Sequence, residues 1–423
     1  MKRKNKNNGE TKTMVVTIDP KKLKGEVNVP PSKSVAHRLV IAAALSKGTS
    51  VVKNLSFSKD ITATLNAMKE LGAKVVMNGS TAVITGIEKP PKKAVIDCCE
   101  SGSTLRFLIP VACALGVETT FLGQGKLPQR PITPYLDELP KHGAVFEYNG
   151  TMPFTVRGKL KAGDYRISGD ISSQFVTGLI FALAAMKGTS SLTLTSPLQS
   201  KPYVDITADC LEKCGANIRK TDGGYLVGDS ELHCFEQTVE ADYSQAAFFF
   251  TADSLGCEID IKGLNENSYQ GDKKIVEICR EIVYNKNGRL KAFELDCSDV
   301  PDLVPILAVL ASFCEGKSRI VNVARLRIKE SDRLEAISCC LNAVGGKVTA
   351  GPDFLEIQGS ESLDGGTVDC FNDHRIAMAM AVAAVRCTSP LTLVGAECVS
   401  KSYPDFFDVY RSLGGDVSII NEQ

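Results

Sequence analysis

One pattern of apolar and polar residues recurs along the chain. An apolar run with helical spacing ends in glycine, a small or polar pair follows, and an alternating strand begins after it. The strand signal is clear at residues 82–84 and 354–357. The glycines at this place in the pattern lie 71, 72, 130 and 69 residues apart, at Gly72, Gly143, Gly215, Gly345 and Gly414. The pattern therefore predicts helices that stop at a glycine and feed a strand, with a period of roughly 70 residues.

Copies of the pattern also begin in a similar way, with an aspartate ahead of an apolar run. An aspartate carboxylate can accept hydrogen bonds from the free amides of a first helical turn. These predicted helix starts are Asp60, Asp205, Asp332 and Asp405. Because the 130-residue gap is close to two periods, a degenerate copy is expected near residues 287–289, which gives six units.

The six units predict an α/β protein with two three-unit domains. Divergent copies without capping repeats favour this arrangement over one long solenoid. Glycine between a helix and a strand is also common in any α/β protein. The agreement of spacing with start signal is what favours the repeat.

Composition narrows the class of protein. The 423 residues are 43% apolar and 23% charged, and 49 basic side chains balance 49 acidic ones. This balance excludes a disordered chain and disfavours wholesale nucleic-acid binding. No stretch approaches the roughly 18 consecutive apolar residues that a membrane-spanning helix needs.

The cysteines and the N-terminal residues predict the cellular compartment of the protein. Fifteen cysteines without a CxxC pair predict buried thiols in a reducing compartment, and the four histidines are too scattered to predict a metal site. Residues 1–13 are rich in Lys and Asn and lack an apolar segment, so they predict a disordered tail rather than a secretory signal. A cytoplasmic protein is expected.

Polar and basic residues concentrate where helices are predicted to begin. In the first half of the chain, small, hydroxylic or basic residues recur at five such places. These segments are 30–38, 100–106, 129–131, 169–175 and 200–203. Any one of them could be a plain N-cap, but five together predict an anion site, because the free amides of a helix start attract anions. The GxxxxGK[ST] spacing of a nucleotide-binding P-loop is absent.

The second half of the chain adds carboxylates to the basic residues. The corresponding segments are 300–302, 327–333, 372–375 and 400–402. The 327–333 segment alone could be a solvated surface. Its acids, however, lie among cations that can shift or couple their pKa values, as is typical of general acid and base groups. Asp302 and Glu330 are therefore the candidate proton-transfer groups.

Eight cations from distant parts of the chain stand in these segments. They are Lys33, Arg38, Arg106, Arg130, Lys329, Arg333, Arg375 and Lys401. Concentrating them is unfavourable unless anions compensate the charge, so two or more small polyanions are the expected ligands. Arginine suits phosphate and carboxylate in particular, because it donates paired parallel hydrogen bonds.

The order of these segments resembles that of the 5-enolpyruvylshikimate-3-phosphate synthases, from about residue 14 to the C-terminus. The motifs that carry the resemblance are PSKSVAHR at 31–38, GSTLR at 102–106, RP at 130–131, SSQ at 172–174, SKPY at 200–203, KESDR at 329–333, NDHR at 372–375 and Lys401. The resemblance implies an α/β fold of two domains, each built from three βαβαββ-like units, of the enolpyruvyl transferase inside-out barrel type. The implied domains are residues 14–31 with 240–423, and residues 32–239. The implied active site lies in the cleft between them, which closes as substrates bind.

The resemblance also implies a reaction. Enzymes of this family transfer the enolpyruvyl group of phosphoenolpyruvate to the 5-hydroxyl of shikimate 3-phosphate and release phosphate. They pass through a tetrahedral intermediate without a metal or an organic cofactor, on the route to chorismate and the aromatic amino acids. The implied setting is a cytoplasmic monomer whose partners are these two small molecules, with no nucleic-acid or membrane partner.

Matched residue by residue, the family's functional positions fall on the same segments. The residues implied to bind shikimate 3-phosphate are Ser34, Arg38, Ser172, Ser173, Ser200, Tyr203, Asp302 and Lys329. Those implied to surround phosphoenolpyruvate are Lys33, Gly102, Arg130, Gln174, Arg333, Arg375 and Lys401. Asp302 is implied to accept the 5-hydroxyl proton, Glu330 to manage the methylene proton, and Lys33 to take part in catalysis.

Two positions depart from the family pattern. Glu100 stands where many members carry Asn, and Arg325 stands where the shikimate-side motif often has Asn. They add opposite charges near the expected ligands, and they leave the predicted proton-transfer pair untouched.

Two alternative functions stay open from the sequence. The related enolpyruvyl transferase that acts on UDP-N-acetylglucosamine would be expected to carry a loop cysteine as acid, whereas no cysteine follows Gly102 before Cys113. The other alternative is a non-catalytic protein that binds phosphate ligands, in which Glu100 and Arg325 mark a decayed site.

Overall fold

A computed structural model describes residues 13–281 and 289–422 of the chain. The predicted tail, residues 1–13, lies outside these ranges except for Thr13, which begins the first strand. The degenerate repeat copy near 287–289 also lies outside them, apart from Arg289. Within the described ranges, no helix is both long and apolar enough to cross a membrane.

The described chain alternates short helices and strands, as the repeat predicts. It opens with β1 (Thr13–Asp19) and β2 (Lys24–Asn28). The elements that follow, up to residue 238, are α1 (Lys33–Leu45), β3 (Thr49–Lys53), α2 (Lys59–Glu70), β4 (Lys74–Asn78), β5 (Thr81–Thr85), β6 (Lys93–Asp97), α3 (Gly102–Leu115), β7 (Glu118–Leu122), α4 (Thr133–Glu138), β8 (Ala144–Glu147), β9 (Phe154–Gly158), β10 (Asp164–Ile167), α5 (Ser173–Ala185), β11 (Ser190–Leu194), α6 (Lys201–Lys213), β12 (Ile218–Thr221), β13 (Gly224–Val227) and β14 (Glu236–Thr238).

The rest of the chain continues in the same manner. Its elements are α7 (Tyr243–Ser254), β15 (Glu258–Lys262), α8 (Lys274–Glu281), β16 (Glu294–Asp296), α9 (Val304–Ala311), β17 (Lys317–Val321), α10 (Arg333–Ala343), β18 (Lys347–Ala350), β19 (Phe354–Gln358), β20 (Gly366–Asp369), α11 (His374–Ala383), β21 (Leu391–Val394), α12 (Phe406–Ser412) and β22 (Asp416–Glu422). Short 3-10 helices lie at Leu127–Gln129, Leu139–His142, Gly271–Lys273, Pro301–Leu303, Ala324–Ile328, Ala384–Arg386 and Ala396–Lys401.

Five four-stranded sheets share one pattern of strand pairing. In each, the first two strands are parallel and the two later pairs are antiparallel. The strand orders are β14-β3-β5-β4, β6-β7-β9-β8, β10-β11-β13-β12, β16-β17-β19-β18 and β20-β21-β1-β22. A sixth sheet pairs β2 with β15 in parallel within the described residues. The predicted α/β fold with repeated units is therefore confirmed.

The glycines predicted to stop the helices adopt left-handed backbone. The φ angles are +107° at Gly72, +105° at Gly143, +97° at Gly215, +83° at Gly345 and +85° at Gly414. Glycine adopts this conformation without the steric penalty of a side chain. The predicted role of these five residues is confirmed.

Two of the four predicted aspartate starts lie at the cap position. Asp332 caps α10 and accepts a hydrogen bond from the Glu335 amide at 3.1 Å. Asp405 precedes α12 without a capping hydrogen bond. The prediction is therefore fully confirmed only for Asp332.

The other two aspartates do not cap a helix, and only Asp60 lies at a helix start. Asp60 lies inside the first turn of α2, because Ser58 takes the cap position and accepts from a backbone amide. Asp205 lies within α6, which begins directly after Ser200. In both cases a serine earlier in the chain occupies the cap, so the carboxylate is available to other partners.

Buried apolar residues form two clusters, and the sequence passes from one cluster to the other between residues 29 and 36 and again between residues 239 and 241. One cluster contains residues from 16–29 and 241–417, and the other contains residues from 36–239. The chain crosses between the clusters twice, and the crossing segments meet at an antiparallel bridge between Pro31 and Ala241. The first half of the chain and most of the second half thus have separate cores.

Central helices of each cluster are apolar on nearly all sides. Almost every residue of α3 and α5 in one cluster, and of α9 and α11 in the other, is buried. Helices of this kind belong inside a protein. Their polar residues concentrate at the helix starts, which is where the candidate site is found.

Candidate active site

Helix starts from both clusters line one cleft. The starts of α1, α3 and α5 belong to one cluster, and those of α10 and α11 belong to the other. The polar lining residues are Lys33, Ser34, Arg38, Asp60, Ser103, Arg106, Arg130, Ser172, Ser173, Gln174, Ser200, Tyr203, Asp242, Ser244, Gln245, Asp302, Arg325, Lys329, Glu330, Arg333, His374 and Arg375. Free amides at helix starts and cations beside them favour anionic ligands.

The cleft brings together nearly all of the site residues predicted from the sequence. Every one of them except Lys401 lines it, including Gly102. Lys401 ends the 3-10 helix Ala396–Lys401, and its ammonium lies 2.9 Å from a carboxylate oxygen of Glu100. Arg106, the remaining cation of the predicted eight, also lines the cleft.

Arg333 holds three carboxylates together. Its side chain is 2% exposed, and its guanidinium donates to Asp302 at 2.9 Å, to Glu330 at 2.8 Å and to Asp373 at 2.8 Å. The Ser331 hydroxyl donates to Asp373 as well, at 3.0 Å. A buried carboxylate without a partner is strongly destabilising. Arg333 is therefore the residue that allows this acidic cluster to exist, and its donors are engaged by protein groups.

Asp302 faces two arginines from the start of a 3-10 helix. Arg375 donates to Oδ2 at 2.9 Å, and Arg333 donates to Oδ1 at 2.9 Å. Burial disfavours the charged form, but Arg375, Lys329 and Arg333 outweigh burial and hold the pKa of Asp302 well below its usual range. Asp302 is therefore a carboxylate near neutral pH, which is the form of a general base.

Glu330 lies between arginines of the two clusters. Its carboxylate pairs with Arg333 at 2.8 Å, while Arg130 of the other cluster lies 3.9 Å away. Burial raises the pKa of Glu330, but Arg333 and then Arg130 outweigh burial, so the pKa lies well below its usual range. The two candidate proton-transfer groups thus share Arg333 and differ in their second partner.

The two lysines of the cleft have different surroundings. The Lys33 ammonium lies 2.9 Å from Asp60, and the Lys33 amide donates to Asp242 at 3.1 Å. Burial alone would lower the pKa of Lys33, but Asp60 reverses the effect and raises it. Burial lowers the pKa of Lys329 to about 8, against the opposing effect of Asp302. Both lysines are cationic at neutral pH.

Arg38 organises another part of the lining. Its guanidinium donates to the Thr207 hydroxyl and to the carbonyls of Ser34 and Tyr203, each at 2.7 Å. The guanidinium carbon lies 5.2 Å from the ring centre of Phe107. These contacts fix the backbone at two residues of the predicted shikimate-side set.

Arg106 positions Gln174 across two helix starts. The Arg106 guanidinium donates to the Gln174 side-chain oxygen at 2.8 Å, and the Gln174 amide nitrogen donates to Ser103 at 3.0 Å. A further hydrogen bond of 3.2 Å links Arg106 to the Pro131 carbonyl. The network joins the starts of α3 and α5 and holds the Gln174 amide at the cleft.

Behind Asp302 lies a carboxyl group that the sequence does not indicate. Asp272 is buried, and its Oδ2 accepts hydrogen bonds from Tyr203 at 3.1 Å and from Ser244. The Tyr203 hydroxyl also lies 3.2 Å from Asp302. Burial, followed by the negative charge of Asp302, raises the pKa of Asp272 to about 7.

Asp272→Asn is expected to change how stability depends on pH. Folding raises the pKa of Asp272 from 3.8 to about 7, so its stabilising contribution is complete below about pH 4 and is lost as the pH rises to about 7. The variant lacks this titration. As the pH rises through this window, the free energy of unfolding of the variant should therefore increase relative to that of the unmodified chain, by up to about 1.4 kcal/mol per pH unit.

Urea unfolding of both proteins between about pH 4 and pH 8 measures this difference. Asp229→Asn is the control, because Asp229 is an exposed carboxylate paired with Lys187. Its curve should run parallel to that of the unmodified chain. If the curve of Asp272→Asn also ran parallel to that of the unmodified chain, it would contradict the raised pKa of the buried Asp272 carboxyl group.

The sequence pattern does not identify several polar residues of the site. The pattern predicts Asp60 as a helix cap, whereas in the structure its carboxylate pairs with Lys33. Asp242 caps α7 and lies at a helix start like the predicted segments, so the same signal could have found it. Asp272 belongs to no recognisable motif. In the described part of the chain, no group of three or more His, Cys, Asp or Glu side chains is arranged so that it could hold a metal ion.

Comparison with known proteins places this geometry in a family. The sequence model of EPSP synthase (3-phosphoshikimate 1-carboxyvinyltransferase) matches residues 18–410. The 3-phosphoshikimate 1-carboxyvinyltransferase of Clostridium kluyveri is 45% identical over 419 residues, which cover 95% of this chain and 98% of that protein. The enzyme of the same name from Clostridium acetobutylicum is 43% identical over 418 residues, with the same coverage.

A solved structure agrees with the sequence comparison. EPSP synthase from Acinetobacter baumannii superposes with a TM-score of 0.80 at 25% identity, over 97% of this chain and 100% of that chain. The family match spans most of the sequence, and the fold and the order of the cleft residues accord with it. The chain belongs to the EPSP synthase family.

Proposed function

We propose that the chain transfers the enolpyruvyl group of phosphoenolpyruvate to the 5-hydroxyl of shikimate 3-phosphate and releases phosphate. The observation that carries this proposal is the single cleft in which Lys33, Arg130 and Arg375 accompany the carboxylates of Asp302 and Glu330. Membership of a family whose relatives are named for this transfer supports it. The reaction is a step of aromatic amino-acid biosynthesis.

The cations of the cleft bring two mutually repelling substrates together. Each substrate carries a phosphate and a carboxylate, so their charges oppose approach to reaction distance. Arginine and lysine side chains neutralise this repulsion, and arginine adds directional paired hydrogen bonds. Because most of the cations that line the cleft are buried, solvent screens their interactions with the substrates only weakly. The directional hydrogen bonds keep the reacting atoms of the two substrates aligned.

The two substrates divide the cleft between them. We assign shikimate 3-phosphate to Ser34, Arg38, Ser172, Ser173, Ser200, Tyr203, Asp302 and Lys329. We assign phosphoenolpyruvate to Lys33, Gly102, Arg130, Gln174 and Arg375, with Lys401 completing the set. Arg333 differs from the others, because its donors are engaged by three carboxylates. Its role is to hold Asp302 and Glu330 in position.

Asp302 and Glu330 divide the proton transfers. The 5-hydroxyl oxygen attacks C2 of phosphoenolpyruvate while Asp302 accepts its proton, and protonated Glu330 delivers a proton to the methylene carbon. The product of this step is the tetrahedral intermediate. Glu330 then removes a proton from the new methyl group, and the bond between C2 and the phosphate oxygen breaks. Lys33, kept charged by Asp60, stabilises the phosphate as it leaves with the bonding electrons. The proton that Asp302 accepted passes to the departing phosphate through solvent, which restores the carboxylate.

Substrate binding prepares both carboxyl groups for this chemistry. Before anions bind, the surrounding cations hold the pKa of Asp302 and of Glu330 well below the usual range, which makes both groups weak bases. Bound phosphate and carboxylate groups pair with the same cations and oppose their effect. The pKa values then rise toward the range in which a carboxyl group can exchange protons with the substrate.

The organisation of the chain follows from the same proposal. We assign residues 14–31 with 240–423 to one domain and residues 32–239 to the other, which accords with the two apolar clusters. We propose that the working form is a monomer, because the residues assigned to the site all belong to one chain. All fifteen cysteines are free thiols, which suits the reducing cytoplasm.

Phosphate release with two alternative acceptors tests the proposed function. The purified chain is mixed with phosphoenolpyruvate and either shikimate 3-phosphate or UDP-N-acetylglucosamine, and inorganic phosphate is measured over time. Release only with shikimate 3-phosphate is expected. Release with the nucleotide sugar would indicate the related transferase. Calorimetric binding of shikimate 3-phosphate without any release would indicate a binding protein.

Gly102→Ala is expected to weaken phosphoenolpyruvate binding without harming the fold. A Cβ atom at Gly102 would lie 2.7 Å from the Arg130 guanidinium, so the guanidinium must move. We expect the KM for phosphoenolpyruvate to rise about tenfold, equivalent to about 1.4 kcal/mol. The control is Gly223→Ala, where nothing lies within 4 Å of the added atom. An unchanged KM in Gly102→Ala would contradict the assignment of Arg130 to phosphoenolpyruvate binding.

A further inference from the structure

Glu100 and Lys401 form an ion pair between the two clusters. A carboxylate oxygen of Glu100 lies 2.9 Å from the Lys401 ammonium and accepts a hydrogen bond from the Asn372 side chain at 3.2 Å. The same ammonium donates to the Asn372 carbonyl at 2.7 Å. The Lys401 side chain is 6% exposed and that of Glu100 is 30% exposed. The Lys401 ammonium is thus already paired with an internal anion.

Corresponding turns of two repeat units present this pair. Asp97 ends β6 and accepts from the Cys99 amide at 2.8 Å, and Asp369 ends β20 and accepts from the Phe371 amide at 2.5 Å. The backbone after each aspartate is left-handed, with φ of +50° at Cys99 and +53° at Phe371. The helix after each turn, α3 or α11, starts at the cleft. The two turns therefore hold Glu100 and Asn372 in defined positions on either side of the contact.

The Glu100 carboxylate also lies close to the backbone of Gly125. A Cβ atom at Gly125 would lie 2.5 Å from a Glu100 carboxylate oxygen. No side chain fits there while Glu100 keeps this position. The absence of a side chain at Gly125 therefore leaves room for the carboxylate to contact Lys401 and Asn372.

We propose that Glu100 competes with phosphoenolpyruvate for Lys401 and so sets the affinity of the enzyme for that substrate. This inference rests on the proposed function, because it takes Lys401 as a phosphoenolpyruvate-binding cation. In the pair, two donors of the ammonium are engaged by Glu100 and Asn372. A substrate anion that binds Lys401 must displace the Glu100 carboxylate or share the ammonium with it. Either route makes the negative charge of Glu100 oppose binding.

The pair has a second consequence for the two clusters. Glu100 belongs to the segment between β6 and α3, whereas Lys401 and Asn372 lie in the second half of the chain. The pair therefore links the clusters before substrate binds. Phosphoenolpyruvate takes over this link when it binds Lys401, so the carboxylate acts as an internal substitute for the substrate anion.

Glu100→Gln tests the competition. The amide keeps the size of the side chain and removes its charge, so phosphoenolpyruvate should bind about threefold to tenfold more tightly. Calorimetric titration with phosphoenolpyruvate in the presence of shikimate 3-phosphate measures the Kd, and steady-state kinetics measures KM and kcat separately. KM should fall with Kd, while kcat changes by less than about threefold. Glu100→Ala, which cannot hydrogen-bond to Lys401, should shift the Kd in the same direction.

Glu118→Gln is the matched control for the loss of one negative charge. Glu118 of β7 and Lys93 of β6 form a solvent-exposed pair at 2.7 Å, and neither residue lines the cleft. Its Kd should equal that of the unmodified chain. Unchanged or weaker binding in Glu100→Gln, or equal tightening in Glu118→Gln, would overturn the proposal. Failure of the proposed function would look different, because the unmodified chain itself would then release no phosphate with shikimate 3-phosphate.

Discussion

Asp302→Asn is expected to lower kcat by about 10²-fold to 10⁴-fold, the usual contribution of a general base. Asparagine has nearly the same shape and can still accept a hydrogen bond from Arg375 or Arg333, but it cannot take the 5-hydroxyl proton. Both guanidinium groups have further carboxylate, hydroxyl or carbonyl partners. The binding geometry should therefore persist. Phosphate release at saturating substrate measures the loss.

Substrate binding distinguishes lost chemistry from a damaged site. The Kd for shikimate 3-phosphate in Asp302→Asn should stay within about tenfold of that of the unmodified chain, or about 1.4 kcal/mol. Glu330→Gln should behave in the same way, because its amide retains the shape that contacts Arg333 and cannot deliver a proton. Unmodified kcat values in both variants would remove these two residues from the proton transfers.

Arg333→Met is expected to destabilise the folded chain by about 3–5 kcal/mol, the range found when one partner of a buried ion pair is removed. The change leaves the carboxylates of Asp302, Glu330 and Asp373 without their shared cation. Arg375 and Arg130 can compensate only part of this charge. Urea unfolding at neutral pH measures the difference in free energy, and catalytic activity should be lost with it.

The pH dependence of this destabilisation identifies its cause. In the unmodified chain, the lowered pKa values of Asp302 and Glu330 contribute stability that is present above about pH 4 and is lost as the pH falls further. In Arg333→Met these pKa values rise, so protonation relieves the repulsion at higher pH. The difference in stability between the two proteins should therefore shrink as the pH falls from neutral towards about pH 4.

An exposed arginine provides the control. Arg157 pairs with Glu147 at 3.2 Å, and both side chains are more than half exposed. Because exposed pairs contribute about 0–1 kcal/mol, Arg157→Met should change stability by no more than that amount. A loss of less than 1 kcal/mol in Arg333→Met would contradict a structural role for its three ion pairs.

Local patterns in the sequence predicted the parts of the fold that depend on neighbouring residues. A glycine in left-handed backbone stops a helix wherever the chain must turn, so Gly72 and Gly345 could be assigned from their spacing alone. Small and basic residues at helix starts identified the lining of the cleft, since a buried helix has few other places for polar groups. The order of these segments then identified the family.

Partners that are distant in sequence could not be predicted in this way. Lys33 pairs with Asp60 and also contacts Asp242, which lies 209 positions further along the chain. Asp272 acquires its raised pKa only because folding buries it beside Asp302. Glu100 was visible as a departure from the family pattern, but its contact with Lys401 spans 301 positions and depends on how the two clusters meet.

The most direct test of the central claim follows the phosphorus atoms during one reaction. Phosphorus NMR of the chain with phosphoenolpyruvate and shikimate 3-phosphate should show loss of the phosphoenolpyruvate signal, growth of inorganic phosphate, and a shifted ester signal that retains the phosphate on the shikimate ring. These changes are expected if the cations of the cleft hold both anions for transfer between them. Unchanged signals, or phosphate derived from shikimate 3-phosphate, would contradict the account.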